Sequence, residues 1–162
     1  MRLTRLPSAA RRDLVLEKGE RPLAHAPTRG GSYVVATSLA LHMPTPGGGL
    51  TRIPWERVDH AAWRDGRLHV RESSGGPEHQ VGLTDPRSLP ETVQERVTST
   101  IVLSQTAPLR GGGAVRIAAR RAPAGGTVRW TLVFEAGTDP SDPALRAEAE
   151  QILAGLREQT GL

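Results

Sequence analysis

Short runs of alternating apolar and polar residues dominate the first half of the chain, and they predict strands. Leu23 to Pro27 is extended and bounded by prolines, and Ser32 to Thr37 is rich in β-branched residues behind a turn at Arg29-Gly30-Gly31. Leu39 to Met43 follows almost at once, and Pro44-Thr45-Pro46-Gly47-Gly48-Gly49 is a loop by composition. Leu50 to Pro54 resumes the sheet and Val58 to Arg64 continues it. Ile53 and Trp55 share one strand face while Val58 falls on the other, a parity shift that predicts a bulge or bend near Glu56. Asp65-Gly66 is the strongest hairpin signal, joining that strand to Arg67 through Glu72. A loop over Ser73 to Pro77 leads to a weaker strand, His79 to Leu83.

The pattern then changes period. Ser88-Leu89-Pro90-Glu91 has the form of a capping box, with Ser88 accepting from early backbone N–H groups and Glu91 three residues on. Val93, Val97 and Ile101 follow at helical spacing. From Thr98 the β-branched residues accumulate, so residues 97–108 are open to two readings, a continued helix or a helix that stops near 100 and hands over to a strand. Arg110-Gly111-Gly112-Gly113 reads as a flexible turn. Beyond it Val115, Ile117 and Ala119, then Val128, Trp130, Leu132 and Phe134, alternate with mostly polar neighbours on two strands joined by Pro123-Ala124-Gly125-Gly126. Asp142-Pro143 supplies an N-cap and a first-turn proline. Leu145, Ala149, Ile152, Leu153 and Leu156 then form the stripe of an amphipathic helix.

These elements predict an α+β protein, mostly antiparallel, with a middle helix, a basic β-hairpin and a C-terminal amphipathic helix. Residues 1–19 form a basic segment, a brief helix after Pro7 or an arm, whose first few residues are expected to be loose. Residues 20–162 are expected to be one domain, with a strand region at 20–83 and a helix-hairpin-helix extension at 84–162. The helix near 89 and the terminal helix near 143–158 are both expected to pack on the sheet of 20–83.

Composition narrows the function classes. The chain has no Cys, which excludes thiolate metal sites, disulfides and a Cys nucleophile. No apolar run approaches the length of a membrane span, and the basic N-terminus lacks the apolar core of a secretory signal, so a cytoplasmic location is expected. Of 21 Lys plus Arg residues only Lys18 is lysine, and Asn is absent. Both use A/T-rich codons, so the arginine excess reflects a high-GC genome more than selection for guanidinium chemistry. The net charge of +4 is modest, and its layout carries more information than the total.

Gly19-Glu20-Arg21, Val34-Val35-Ala36-Thr37 with Ala40-Leu41, and Ile53-Pro54-Trp55-Glu56 with Val58, Ala61 and Trp63 resemble a set of small uncharacterised proteins common in actinobacteria. The rhythm of residues 20–83 also resembles bacterial pleckstrin-homology-like domains. That resemblance covers the first half of the chain and implies a bent sheet or partial barrel used for binding rather than catalysis. It brings no ligand, because no binding motif matches. The basic hairpin and second helix depart from a simple domain of that kind, which would end on the helix after its strands.

Candidate chemistry is sparse. The five histidines, His25, His42, His60, His69 and His79, form no H-E-x-x-H or close pair, so no metal site and no cofactor is expected, and His42 and His69 are placed on polar strand faces. No G-x-S-x-G and no phosphate-binding glycine motif occurs, so the glycine clusters read as linkers and the chain as a non-enzyme. Trp55 and Trp63 are candidates for ligand or partner contact, with core packing the ordinary alternative in an aromatic-poor chain. Between Glu95 and Glu135 there is no acidic residue, while six arginines fall in that span. Alternation places Arg116, Arg120 and Arg129 on one outward face, a candidate anion-binding patch. The bland alternative is that this face meets the acidic C-terminal segment, which neutralises it, or simply sits in water. The expected function is a binding or protein-interaction module whose partner is a protein or a second copy of the chain. The alternative is a weak nucleic-acid or anionic-lipid binder acting through the arginine hairpin.

Overall fold

The computed structural model describes residues 5–72 and 76–162. Most of the loop expected at 73–77, and the first residues of the basic segment, lie outside them. The chain is α+β, with three antiparallel sheets and three α-helices among the described residues. Its contacts gather into two compact units, 1–100 with 122–125, and 101–121 with 126–162.

The first unit opens with α1 (Ser8–Asp13) and continues through β1 (Pro22–Pro27), β2 (Tyr33–Thr37), β3 (Ala40–Pro44) and β4 (Leu50–Pro54), an antiparallel sheet in chain order. A 3-10 turn at Trp55–Arg57 makes the bend expected near Glu56. A second sheet follows, β5 (Val58–Arg64), β6 (Arg67–Glu72) and β7 (Glu78–Gly82), with Asp65 and Gly66 both at positive φ in the β5–β6 hairpin. A lone bridge between Thr28 and Leu83 links the ends of β1 and β7, and no closed barrel forms. The inner residues of both sheets join α2 (Leu89–Ser99) in one core around Leu41, Ile53, Trp55, Leu68 and Val70. The helix contributes Leu89, Val93 and Val97, one residue per turn.

The start of α2 corrects the capping-box expectation. Ser88 makes no side-chain cap and sits at ψ 2°, outside the extended region that aims an N-cap oxygen at the first turn. Pro90 removes one of the N–H donors such a cap would satisfy. The helix ends at Ser99, and the next residues are a strand, which resolves the two readings of 97–108.

The outer face of the first sheet is covered by the N-terminal segment. Register places His25, Val35, His42 and Arg52 in one row across β1 to β4. Leu6, Ala10 and Leu14 pack against Val35, and Glu20 closes over the polar end of the row. The Glu20 carboxylate accepts from Thr37 Oγ1 at 2.5 Å and from the Glu17 N–H at 2.9 Å. It also meets His42 Nε2 at 2.9 Å and Arg52 at 3.5 Å. His42 is therefore buried, at 2% exposure, rather than on a solvated polar face. Burial alone pushes the Glu20 carboxyl up. The hydrogen bonds of Thr37, the Glu17 N–H and His42, with the charge of Arg52, outweigh it and hold the group below its ordinary value.

The second unit comprises β8 (Ile101–Pro108), β9 (Ala114–Arg121), β10 (Val128–Phe134) and α3 (Pro143–Thr160), with sheet order β10-β9-β8. Asp142 Oδ1 accepts from the Ala144 N–H at 2.9 Å, and Gly161 at φ 69° ends the helix. The stripe of α3 packs on Val115, Ile117, Trp130, Leu132 and Phe134, which corrects the expectation that it packs on the sheet of 20–83. The reason is local: the β9–β10 hairpin has an apolar face of its own and takes the nearest amphipathic helix. Leu145, Ala149 and Leu156 are buried there, while Ile152 and Leu153 are half-buried. The turn before β9 is packed rather than a flexible linker. A Cβ on Gly113, at φ 78°, would stand 2.0 Å from Thr138 Oγ1, and one on Gly111 would stand 2.6 Å from Leu145.

Two outcomes are expected. Ala149→Asp places an unpaired carboxylate at a fully buried position, which costs several kcal/mol, and should abolish the tertiary signal of Trp130, whereas Ala154→Asp on the exposed side should not. Glu20→Gln should lower stability at pH 7 by about 3 kcal/mol, because it strips the charge from a buried hydrogen-bonded group. Since the folded Glu20 titrates below the ordinary 4.5, its contribution is complete above that value and is lost as pH falls through the folded value. Urea unfolding at pH 7 and near pH 3 should therefore show the gap between wild type and variant closing in acid.

Candidate functional site

Each residue singled out in the sequence has a definite place. Trp55 is fully buried and donates its Nε1–H to the Thr37 carbonyl at 2.8 Å, so it is a core plug with no surface to offer a ligand. Trp63, opposite Leu68 on the β5–β6 hairpin, is 37% exposed beside a shallow groove bordered by His60, Pro90 and Val93.

Arg116, Arg120 and Arg129 do share a sheet face, since Arg129 lies directly across from Arg120 in register and Arg116 has the same parity on β9. They do not form the expected exposed trio. Arg120 is buried, at 2% exposure, as is its neighbour Ala118 on that face. Alternation fixes the face a side chain takes but says nothing of what covers that face. Two carboxylates of the acidic segment are engaged elsewhere. Glu148 accepts from the Arg110 N–H at 2.7 Å, Glu150 pairs with Arg146 at 3.7 Å, and α3 lies on the opposite face of the sheet.

The first unit holds a cleft of about 620 Å³ among loops separated in sequence. The β1–β2 turn is one wall. Thr28 N–H donates to the Ser32 carbonyl at 2.8 Å, Ser32 N–H donates to Thr28 Oγ1 at 3.0 Å, and Gly31 adopts φ 82°. This turn is stitched to the far sheet by Arg29 N–H donating to the Gly82 carbonyl at 2.9 Å. The β3–β4 loop is a second wall, closed by Thr45 N–H donating to the Gly49 carbonyl at 3.1 Å and by the Thr45 hydroxyl donating to the Gly48 carbonyl. The remaining sides come from α1 and from β6 and β7, through Ala9, Arg12, Arg67 and Gln80 among others.

The cleft gathers Arg12, Arg29 and Arg67 around one lining carboxylate, Asp13. Arg29 lies across two glycines, with a Cβ on Gly66 meeting its guanidinium at 2.6 Å and one on Gly82 meeting its Cδ at 2.8 Å. Those glycines let the side chain lie flat on the backbone, a stem packed while its head stays exposed. Hydroxyls of Thr28, Ser32 and Tyr33 complete a lining rich in donors. No histidine is among its lining residues. The sequence held one faint signal, the Thr-Arg-Gly-Gly-Ser turn at 28–32, but nothing local connects Arg29 to Arg12 or Arg67.

The remaining polar clusters are structural. His25 is buried beside Tyr33, and burial, with the charge of Arg87, holds its imidazole below the ordinary value. His79 meets Glu72 at 2.8 Å. Among the described residues no three His, Asp or Glu side chains gather as a metal would require, and no helix is long and apolar enough to cross a membrane. The chain matches no family model, no curated protein and no solved structure.

Proposed function

We propose that the chain is a cytoplasmic, non-enzymatic binding module, and that its first unit receives an anionic group of its ligand in the loop cleft. One observation carries the reading: Arg12, Arg29 and Arg67 converge on one concave site from three separate elements, against a single lining carboxylate. Guanidinium groups bring planar, always-charged donors, suited to phosphate or carboxylate. The lining hydroxyls supply neutral donors beside them. The absence of a histidine from the lining supports binding over catalysis. The succession of four antiparallel strands, three antiparallel strands and a closing helix supports the pleckstrin-homology-like reading of this unit. The absence of a membrane-spanning helix among the described residues is compatible with a cytoplasmic placement.

The cleft displaces the arginine hairpin as the leading anion site. Arg120 is withdrawn from the surface, and Arg116 and Arg129 are half-buried on the same sheet face. A reader of nucleic acid through that hairpin would need its phosphate contacts exposed.

Calorimetric titration with tripolyphosphate at about 50 mM salt tests the proposal. Wild type should bind, and Arg29→Gln/Arg67→Gln should weaken binding more than tenfold, since each lost charge-assisted hydrogen bond is worth about 1.5–3 kcal/mol. Arg116→Gln/Arg129→Gln should bind as wild type does. Loss confined to Arg116→Gln/Arg129→Gln would return the site to the hairpin, and equal loss in both would mean that binding follows net charge alone. No binding by wild type would sink the anionic reading altogether.

A further inference from the structure

Sheet edges are where strands recruit other strands, and proteins ordinarily blunt them with charge, proline or cover. The edges described here obey that rule with one exception. β1 begins and ends in proline, β4 carries Arg52 and Pro54, β5 carries Asp59 and Arg64, β7 carries Glu78, and β10 carries Arg129. β8 carries no charge at all, and from Ile101 to Ala107 it has no proline either. It is an outer strand of its sheet, paired with β9 on one side only among the described residues. Ser104, Gln105 and Thr106 are three consecutive exposed residues on it, and Val102 stands 42% exposed beside a register shift.

We infer that β8 is a homodimerisation edge, adding antiparallel to β8 of a second copy so that two three-stranded sheets become one of six strands. The self-pairing follows from the charge pattern. An antiparallel pair related by a two-fold axis sets residues on either side of a centre against each other, and a centre at Gln105 sets Ser104 against Thr106 and Leu103 against Ala107, all neutral. The strand is rich in β-branched and hydroxyl residues, which pair well across strands. Pro108, with no N–H to donate, sets the limit of the ladder at one end. Because the axis runs perpendicular to the sheet, both copies of α3 lie on the same face of the joined sheet, and neither obstructs the other's β8 edge. The contact closes on itself, so it yields dimers rather than fibres.

The absence of cysteine makes the test clean. On light scattering behind size exclusion, wild type should run at twice the 17.4 kDa chain mass, and should still do so in about 0.5 M salt, because no charge pair holds the interface. Ser104→Lys/Thr106→Lys should weaken dimerisation at least tenfold while leaving the circular dichroism and tripolyphosphate binding unchanged. Gln105→Cys tests the same contact without needing the edge to be disrupted: mild oxidation should give a covalent dimer, because opposed strands hold Cα atoms about 4.5–5.5 Å apart. Gln151→Cys, exposed on α3, should stay monomeric on a non-reducing gel of the same reaction. A monomeric wild type at about 0.1 mM with no Gln105→Cys cross-link would overturn the inference. So would a ladder of higher oligomers, which would mean that β8 adds to a different edge. Either failure leaves the cleft reading standing, since phosphate binding is measured separately.

Discussion

The first unit depends on keeping one buried carboxylate ionised. Glu20 has almost no exposure, and a bare charge there would be ruinous to stability. It is tolerated because four groups from four places converge on it: the Thr37 hydroxyl, the Glu17 N–H, the His42 ring and the Arg52 guanidinium. The same Thr37 oxygen accepts from the Ala40 N–H at 3.0 Å and so shapes the β2–β3 turn, while its carbonyl receives Trp55. Trp55 then fills the middle of the core that α2 closes. A single polar knot thereby ties the N-terminal segment to three strands and to the largest core side chain. Networks of this kind specify one register, because a one-residue slip of β3 would turn His42 inward and leave the carboxylate without its ring partner.

This knot also explains why the N-terminal segment is part of the fold. Residues 1–19 read as a basic segment with a brief helix after Pro7 or an arm; the helix is α1, Leu6 and Ala10 are buried, and α1 forms one side of the cleft. Holding Glu20 over His42 fixes the chain just after that segment, and α1 is thereby kept against Val35. The cleft is consequently built from loops anchored by backbone hydrogen bonds on a rigid two-sheet frame. Such an arrangement keeps donors in place before a ligand arrives, so less ordering cost falls on binding.

Much of the fold was legible because it rests on period and turn chemistry. The strands of 22–82, the Asp65-Gly66 hairpin, the Asp142-Pro143 helix start and the α3 stripe all follow from local rules. What escaped was non-local. The burial of His42 requires knowing that Glu20, 22 residues earlier, folds over it. The burial of Arg120 requires knowing what covers its sheet face. The packing of α3 required choosing between two sheets that both offered an apolar face. The capping box at Ser88 failed for a local reason, since the backbone of Ser88 sits at ψ 2° rather than in the extended region that aims its hydroxyl at the first turn. The cleft was the least legible feature, because Arg12, Arg29 and Arg67 are ordinary surface arginines until the topology brings them together.

The two surfaces offered for binding differ in physical kind, and that difference constrains how the protein can work. The cleft is charged and open, so attraction for its ligand weakens as salt rises and acts at a distance. The β8 edge is neutral and hydrogen-bonding, so it acts only at contact and is indifferent to salt. A dimer closed by β8 presents two copies of the first unit, and hence two clefts, to anything carrying repeated anionic groups. Two weak sites engaged together bind more tightly than either alone, provided the spacing of the groups matches that of the clefts. The edge therefore supplies through valency what a solvent-exposed, arginine-lined cleft lacks in affinity.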